Sequence, residues 1–178
     1  IVIEGNLIRV LSAVFRTADT QSQKAFKRNW FGRLPKAATN TFTGSRKHIE
    51  HHYDLGNDFY RLWLDERMVY TCAYYPTQQT TLEQAQVAKM DHVARKLELK
   101  PGMDVVEAGC GWGALAIHMA KQFGVQVKAF NISREQLEFA RSEAKRQGLA
   151  SKAKFIEDDY RNIAESCDAF VSIGMLEH

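Results

Sequence analysis

Asp104-Val105-Val106-Glu107-Ala108-Gly109-Cys110-Gly111-Trp112-Gly113 decides how the rest of this 178-residue chain is read. The short apolar run predicts a buried strand, and glycines at alternate positions predict a tight loop directly after it. The helix predicted next runs from Ala114 to Phe123, with Gly124 where a left-handed C-cap belongs. Strand, glycine loop and helix together form a ligand cradle. Without Cβ atoms the loop can turn sharply and approach a bound group, and the first helical turn presents N–H groups that have no partner inside the helix. Gly109, Gly111 and Ala114 also satisfy the looser G-x-G-x-x-A pattern of a dinucleotide fold, which wants an acid at the end of the next strand to hold a ribose hydroxyl. That strand ends at Phe130-Asn131 without an acid; the acid here, Glu107, precedes the glycines.

Working outward, Val125 to Phe130 is expected as the second strand, Ala153 to Glu157 as the third and Ala169 to Ile173 as the fourth. Ser133 and Gln136 are expected to cap a charged helix ending near Gly148. Strands that alternate with helices imply a parallel sheet. Upstream of the first strand, Thr80 with Glu83 or Thr81 with Gln84 forms a capping box, Val87, Met90, Ala94 and Leu97 mark one helical face, and Lys100-Pro101-Gly102 ends the helix. The aromatic-rich stretch from His51 to Tyr75 reads as a lid over a ligand pocket, with Phe59, Leu62, Trp63 and Leu64 expected in the core. His48, His51 and His52 lack a fourth ligand at a suitable spacing, so no metal is expected.

Residues 1–50 differ in character. Leu7, Val10, Leu11, Val14, Phe15 and Ala18 recur at helical spacing with Arg9, Ser12 and Arg16 between them, an amphipathic helix that either packs on the domain or lies on a membrane surface. Between residues 20 and 49 no acid occurs, while Lys24, Lys27, Arg28, Arg33, Lys36, Arg46 and Lys47 do; the remaining sequence carries 17 basic against 21 acidic residues. The net charge of +3 is thus concentrated in one basic linker, where Phe26, Trp30 and Phe31 sit among the cations. Such a segment suits an anionic lipid surface or a solvated connector, and no nucleic-acid-binding motif accompanies it.

A hydrophobic content of 45% is enough for one ordinary core. No run approaches the roughly 20 apolar residues of a spanning helix, and the start lacks the order of a signal peptide, so cytoplasmic residence is the default expectation. Cys72, Cys110 and Cys167 form no C-x-x-C pair, and thiols are expected. The chain stops at Gly174-Met175-Leu176-Glu177-His178, just beyond a strand and with no closing elements, so it reads as a fragment.

An acid two residues before a G-x-G-x-G loop resembles motif I of S-adenosylmethionine (SAM) methyltransferases. Four separated motifs, HYDLGNDFY, MVYTCAYY, EAGCGWG and SIGMLEH, then resemble one family in the right order: the cyclopropane fatty acid synthases and their mycolic acid relatives. The family usually has Asp at the position of Glu107 and Thr-Leu-Ser in place of Asn131-Ile132-Ser133. The resemblance implies a Rossmann-like α/β fold with a parallel sheet and helices on both faces, truncated after the fourth strand and carrying an N-terminal helical extension. It implies that residues 51–178 are the first part of a SAM-dependent methyltransferase domain and residues 1–50 an amphipathic helix and basic linker.

It further implies that Tyr70 and Thr71 cover the cofactor. The run Val105, Val106, Glu107, Ala108, Gly109, Cys110, Gly111, Trp112 and Gly113 would hold its methionine portion and ribose. Asn131, Ile132, Ser133 and Gln136 would flank the ribose, and Asp159 and Tyr160 would meet the adenine, a carboxylate accepting from the exocyclic amine and a ring stacking. An alkene would attack the sulfonium methyl, leaving a carbocation on the acyl chain, and a bicarbonate held near Cys72 and Glu177 would take the proton. The partners implied are unsaturated phospholipid acyl chains and an anionic membrane, with the protein peripheral at its inner face. Rival readings are a methyl-branching or N-methylating enzyme of the same family, a non-catalytic lipid-surface protein, and a dinucleotide enzyme, which the absence of an acid at Asn131 disfavours.

Overall fold

A computed structural model of the protein describes residues 56–164 and 166–175. The amphipathic helix expected over residues 7–18, the basic linker, His48, His51, His52 and Glu177 lie outside the described residues. Two helices, α1 (Gly56–Arg61) and α2 (Leu82–Lys96), precede an alternating run of β1 (Asp104–Ala108), α3 (Ala114–Gln122), β2 (Gln126–Asn131), α4 (Arg134–Arg146), β3 (Ala153–Glu157), a 3-10 turn (Tyr160–Asn162) and β4 (Ala169–Ser172). The four strands are parallel, in the order β3-β2-β1-β4. The chain therefore steps from β1 outward to β3 and then returns to the opposite side of β1. A reversal of this kind opens a crevice at the carboxyl ends of the two strands that flank it, the place where open α/β sheets take ligands. Here those ends are Ala108 and Ser172, which are register partners.

Local signals set most boundaries where the sequence places them. Thr81 and Gln84 close a reciprocal capping box, Gln84 N donating to Thr81 Oγ1 at 3.3 Å and Thr81 N to Gln84 Oε1 at 3.0 Å. Beyond α3, Gly124 adopts φ +69° and turns the chain into β2. The start of β4 is pinned to β1 by Asp168, whose carboxylate accepts from Asp104 N and whose own N–H donates to Asp104 O, both at 2.8 Å.

The core lies between sheet and helices and is built largely from small residues. Ala116 and Ala120 of α3, Ala140 and Ala144 of α4, and Ala129 and Ala153 of β2 and β3 are all buried, with Met90, Met119 and Leu137 filling the wider gaps. Small side chains let helix and sheet approach closely, so the packing has little slack for added volume. Val87, Met90, Ala94 and Leu97 form the inward face of α2, as their spacing predicts.

One expected core group is not buried. Phe59 and Trp63 are exposed and Leu62 is 81% exposed, while Leu64 is only partly buried. Helix α1 is six residues long and buries one side chain, Tyr60, which packs with Met68 and Trp112; the positions beside it turn outward.

Candidate functional site

The glycine loop is suspended from the end of β2. Gly109 N and Cys110 N both donate to Phe130 O, at 2.9 and 3.1 Å, and Asn131 Nδ2 donates to Gly111 O at 3.2 Å. Two loop N–H groups are thus spent on Phe130 and Gly113 N on Cys110 O, which leaves an incoming anion Gly111 and the very start of α3, ahead of Ala116. All three glycines have positive φ, but a side chain would meet different things at each. A Cβ on Gly113 would come within 2.6 Å of the Phe155 ring and 2.7 Å of Ala140, and one on Gly109 within 2.8 Å of the Met175 sulfur. A Cβ on Gly111 would meet nothing within 4 Å. Gly113 serves the packing of α4 and β3, and Gly111 faces open space.

Val105, Val106 and Ala108, expected to hold cofactor, are buried within β1, which pairs with β2 and β4. Glu107 is the exception on this strand. Only 5% exposed, it accepts from Ala116 N in the first turn of α3, and its Oε2 has no partner among the described residues. Burial pushes its carboxyl up to about 8, against the opposing pull of Lys89 and the Ala116 N–H.

Beyond β2, Asn131 is fully engaged: it donates to Gly111 O and to Gln136 Oε1 at 2.7 Å, and its Oδ1 accepts from Ser133 N. Its amide holds the loop, which leaves it little to offer a ribose. Ser133 caps α4 through Gln136 N, but the reciprocal half of the expected capping box is absent because Asn131 has taken the Ser133 N–H. Gln136 is thereby released. Its side chain is buried, Asn131 fixes which end is oxygen, and Nε2 is left without a partner. Ile132 lies half-buried between Asn131 and Ser133.

After β3, Asp159 is buried and caps the 3-10 turn, and its carboxylate accepts from Arg161 N, Nε and Nη2. The Arg161 guanidinium holds this carboxyl below the usual range. Much of the capacity expected for an adenine amine therefore goes to Arg161. Tyr160 beside it is exposed.

The segment Tyr70-Thr71-Cys72 crosses near the other rim of the crevice, since a Cβ on Gly174, beyond β4, would lie 3.0 Å from Thr71 Cγ2. Cys72 is exposed, and the Tyr70 ring touches Tyr60 and Trp63. The strap is held from outside the motifs. Asp65 Oδ1 accepts from Val69 N at 2.7 Å, Gln86 Nε2 donates to Thr71 O at 3.0 Å and to Val69 O at 3.4 Å, and Lys89 Nζ donates to Thr71 Oγ1 at 2.6 Å. Sequence reasoning missed Asp65, Gln86 and Lys89; the available signal was polar residues beside Met90 on the apolar face of α2. Trp112, expected to touch cofactor, is buried against Tyr60 and Met68, and its Nε1 donates to Asn57 Oδ1 at 2.6 Å. Asn57 N in turn donates to Glu135 Oε1, so α1 bridges the loop and the start of α4. Among the described residues no three His, Cys, Asp or Glu side chains gather as a metal site.

The sequence profile of a family described as mycolic acid cyclopropane synthetase matches residues 41–178. Over 132 residues the chain is 43% identical to a probable fatty acid methyltransferase of Pseudomonas putida, covering 73% of this chain and 34% of that protein. Over 127 residues it is 44% identical to the cyclopropane-fatty-acyl-phospholipid synthase of Escherichia coli strain K12, covering 71% of this chain and 32% of that one. The crystal structure of mycolic acid cyclopropane synthase CmaA1 complexed with SAH and CTAB superposes with a TM-score of 0.71 at 34% identity, covering 75% of this chain and 47% of that chain. The chain spans about a third of the length of the curated relatives it matches.

Two predictions follow from this geometry, both for the complete protein. Gly113→Val should lower stability by about 3 kcal/mol, combining a left-handed backbone cost with overpacking against Phe155 and Ala140, and thermal unfolding reads the loss. Gly111→Val carries the left-handed backbone cost without the overpacking, so it should lose less stability than Gly113→Val, and it should lose S-adenosylhomocysteine binding in calorimetry; unchanged affinity would remove Gly111 from the site. The second concerns Glu107. Its carboxyl in the folded chain titrates near 8 instead of 4.5, so the stability it contributes is fully present below about 4.5 and is lost as pH rises through 8. Glu107→Gln should flatten the fall in denaturant midpoint across that window, and a slope equal to wild type would contradict a buried neutral acid.

Proposed function

Because the chain belongs to the mycolic acid cyclopropane synthetase family, we propose that the complete protein is a SAM-dependent enzyme that adds a methylene bridge across the double bond of an unsaturated phospholipid acyl chain. One observation carries the SAM assignment. Two buried polar atoms of opposite character, the acceptor Glu107 Oε2 and the donor Gln136 Nε2, are both left unpartnered around the one loop glycine that faces open space. A ligand with a carboxylate, an ammonium and a ribose fits that set: Gly111 and the start of α3 for the carboxylate, Glu107 for a cationic donor, and Gln136 for a hydroxyl. Tyr160 offers a ring beside that site and Asp159 a remaining acceptor position for an adenine amine.

When bound, SAM supplies a methyl group activated by its sulfonium. The rest of the work falls to the protein. Tyr70 and Thr71 cover the crevice and exclude water, which would otherwise quench a carbocation on the acyl chain. The chain must then lose a proton, and Cys72 and Glu177 are assigned to hold a bicarbonate as the base; the exposure of the Cys72 thiol on the strap supports its half of that assignment. A second reading, in which the product keeps its double bond and carries a methyl branch, is favoured by the likeness to the fatty acid methyltransferase of Pseudomonas putida.

Lipid mass spectrometry on cells expressing the complete protein separates the two. A gain of one CH₂ with loss of alkene reactivity marks a ring, the same gain with the alkene retained marks the branch, and no gain removes both. Glu177→Gln should cut turnover steeply while S-adenosylhomocysteine affinity persists, with Cys72→Ala milder; full activity in Glu177→Gln would end the bicarbonate assignment.

Among the described residues no helix is long and apolar enough to cross a membrane. Access to phospholipid is assigned to residues 20–49, whose seven cations and no acids suit the inner face of an anionic membrane at about 1 kcal/mol per cation. Sedimentation should show binding to anionic vesicles that salt weakens, and equal binding to neutral vesicles would refute it.

A further inference from the structure

Lys89 stands outside every recognised motif, yet its ammonium reaches into the site. A lysine on a helix surface ordinarily extends its head toward water. This one turns inward to donate to Thr71 Oγ1 at 2.6 Å, one helical turn after Gln86, whose amide takes the backbone carbonyls of Val69 and Thr71. The charged or titratable groups that face it come from three directions: Asp65 from the turn after α1, Cys72 from the strap, and Glu107 from β1. Glu107 is faced in turn by Lys89, by the Cys110 thiol of the glycine loop and by Ala116 N–H of α3. The lysine thus bonds the cover of the crevice through Thr71 and acts on Glu107 by its charge alone. Burial draws its ammonium below its ordinary value, and the three acidic groups oppose this.

We propose that Lys89 is a positioning residue: it clamps the covering strap through the Thr71 hydroxyl, and its positive charge acts on the Glu107 carboxyl from outside hydrogen-bond reach, so that strap closure and cofactor capture are coupled through one side chain. The inference rests on the reading of the glycine loop as a SAM site. The two effects are separable by mutation. Lys89→Met removes both the clamp and the charge, Thr71→Val removes the clamp and keeps the charge, and Lys89→Arg keeps the charge and a donor.

The test is calorimetric binding of S-adenosylhomocysteine to the complete protein from pH 6 to 9. Wild type should bind more tightly as pH rises through the titration of Glu107 near 8, because the ionised carboxylate attracts the ligand's ammonium. Lys89→Met should move that midpoint to higher pH, since the cation that favours ionisation is gone, and should weaken binding at pH 7 by roughly tenfold to a hundredfold, the range for a charge-assisted hydrogen bond. Thr71→Val should weaken binding without moving the midpoint, and Lys89→Arg should hold the midpoint near wild type. A merely structural lysine would lower affinity equally at every pH, and that result overturns the inference, as does wild-type binding in Thr71→Val. Should Lys89→Met fail to fold, Thr71→Val and Lys89→Arg decide by the same criteria. Absence of binding in wild type would instead sink the SAM reading, and the inference with it.

Discussion

The carbonyl of Phe130 is the constraint on which the site depends. By accepting from two successive N–H groups of the glycine loop it fixes where the chain leaves β1, and the neighbouring Asn131 amide fixes where the loop turns back. Everything downstream inherits that geometry: the start of α3, the N–H that meets Glu107, and the position of Trp112 against α1. The end of β2 is a site for a ribose-binding acid in dinucleotide folds. Here a neutral amide occupies it and is spent on Gly111 O, Ser133 N and Gln136 Oε1, so the polar atom left unpartnered lies one step further, at Gln136 Nε2.

The sheet, its strand boundaries and the glycine loop between β1 and α3 were legible because they rest on local signals. Glycines at alternate positions, an apolar five-residue strand and a Thr-x-x-Gln box each act within a few residues. What could not be read were contacts between segments distant in sequence. That Asn131 would take the Ser133 N–H and so free Gln136 depends on a loop 20 residues earlier, and that Gln86 and Lys89 would hold Thr71 depends on a crossing of 15 to 18 residues. The placement of Phe59, Leu62 and Trp63 failed for another reason. Aromatic composition predicts burial on average, but α1 buries only Tyr60 before it ends at Arg61, and Leu62 and Trp63 lie in the turn beyond it.

Glu107 shows how a substitution within a motif carries physical consequences. The resemblance implies Asp at this position; the Glu107 carboxyl is 5% exposed and accepts from Ala116 N–H of α3. Such a group is held neutral until a positive charge arrives. The local electrostatics are then as much a matter of what faces the acid as of the acid itself, and Lys89 and Cys110 are those neighbours.

The alanine seam between α3, α4 and the sheet has a packing consequence. Where helices rest on a sheet largely through alanines, with Met90, Met119 and Leu137 filling the wider gaps, helix and sheet approach closely and the layer has little room for added volume. The parts above it are tied differently: the strap by hydrogen bonds from three polar side chains, and α1 by one indole bond and one backbone N–H. Polar ties hold the parts above the sheet, and close alanine packing holds the layer beneath it.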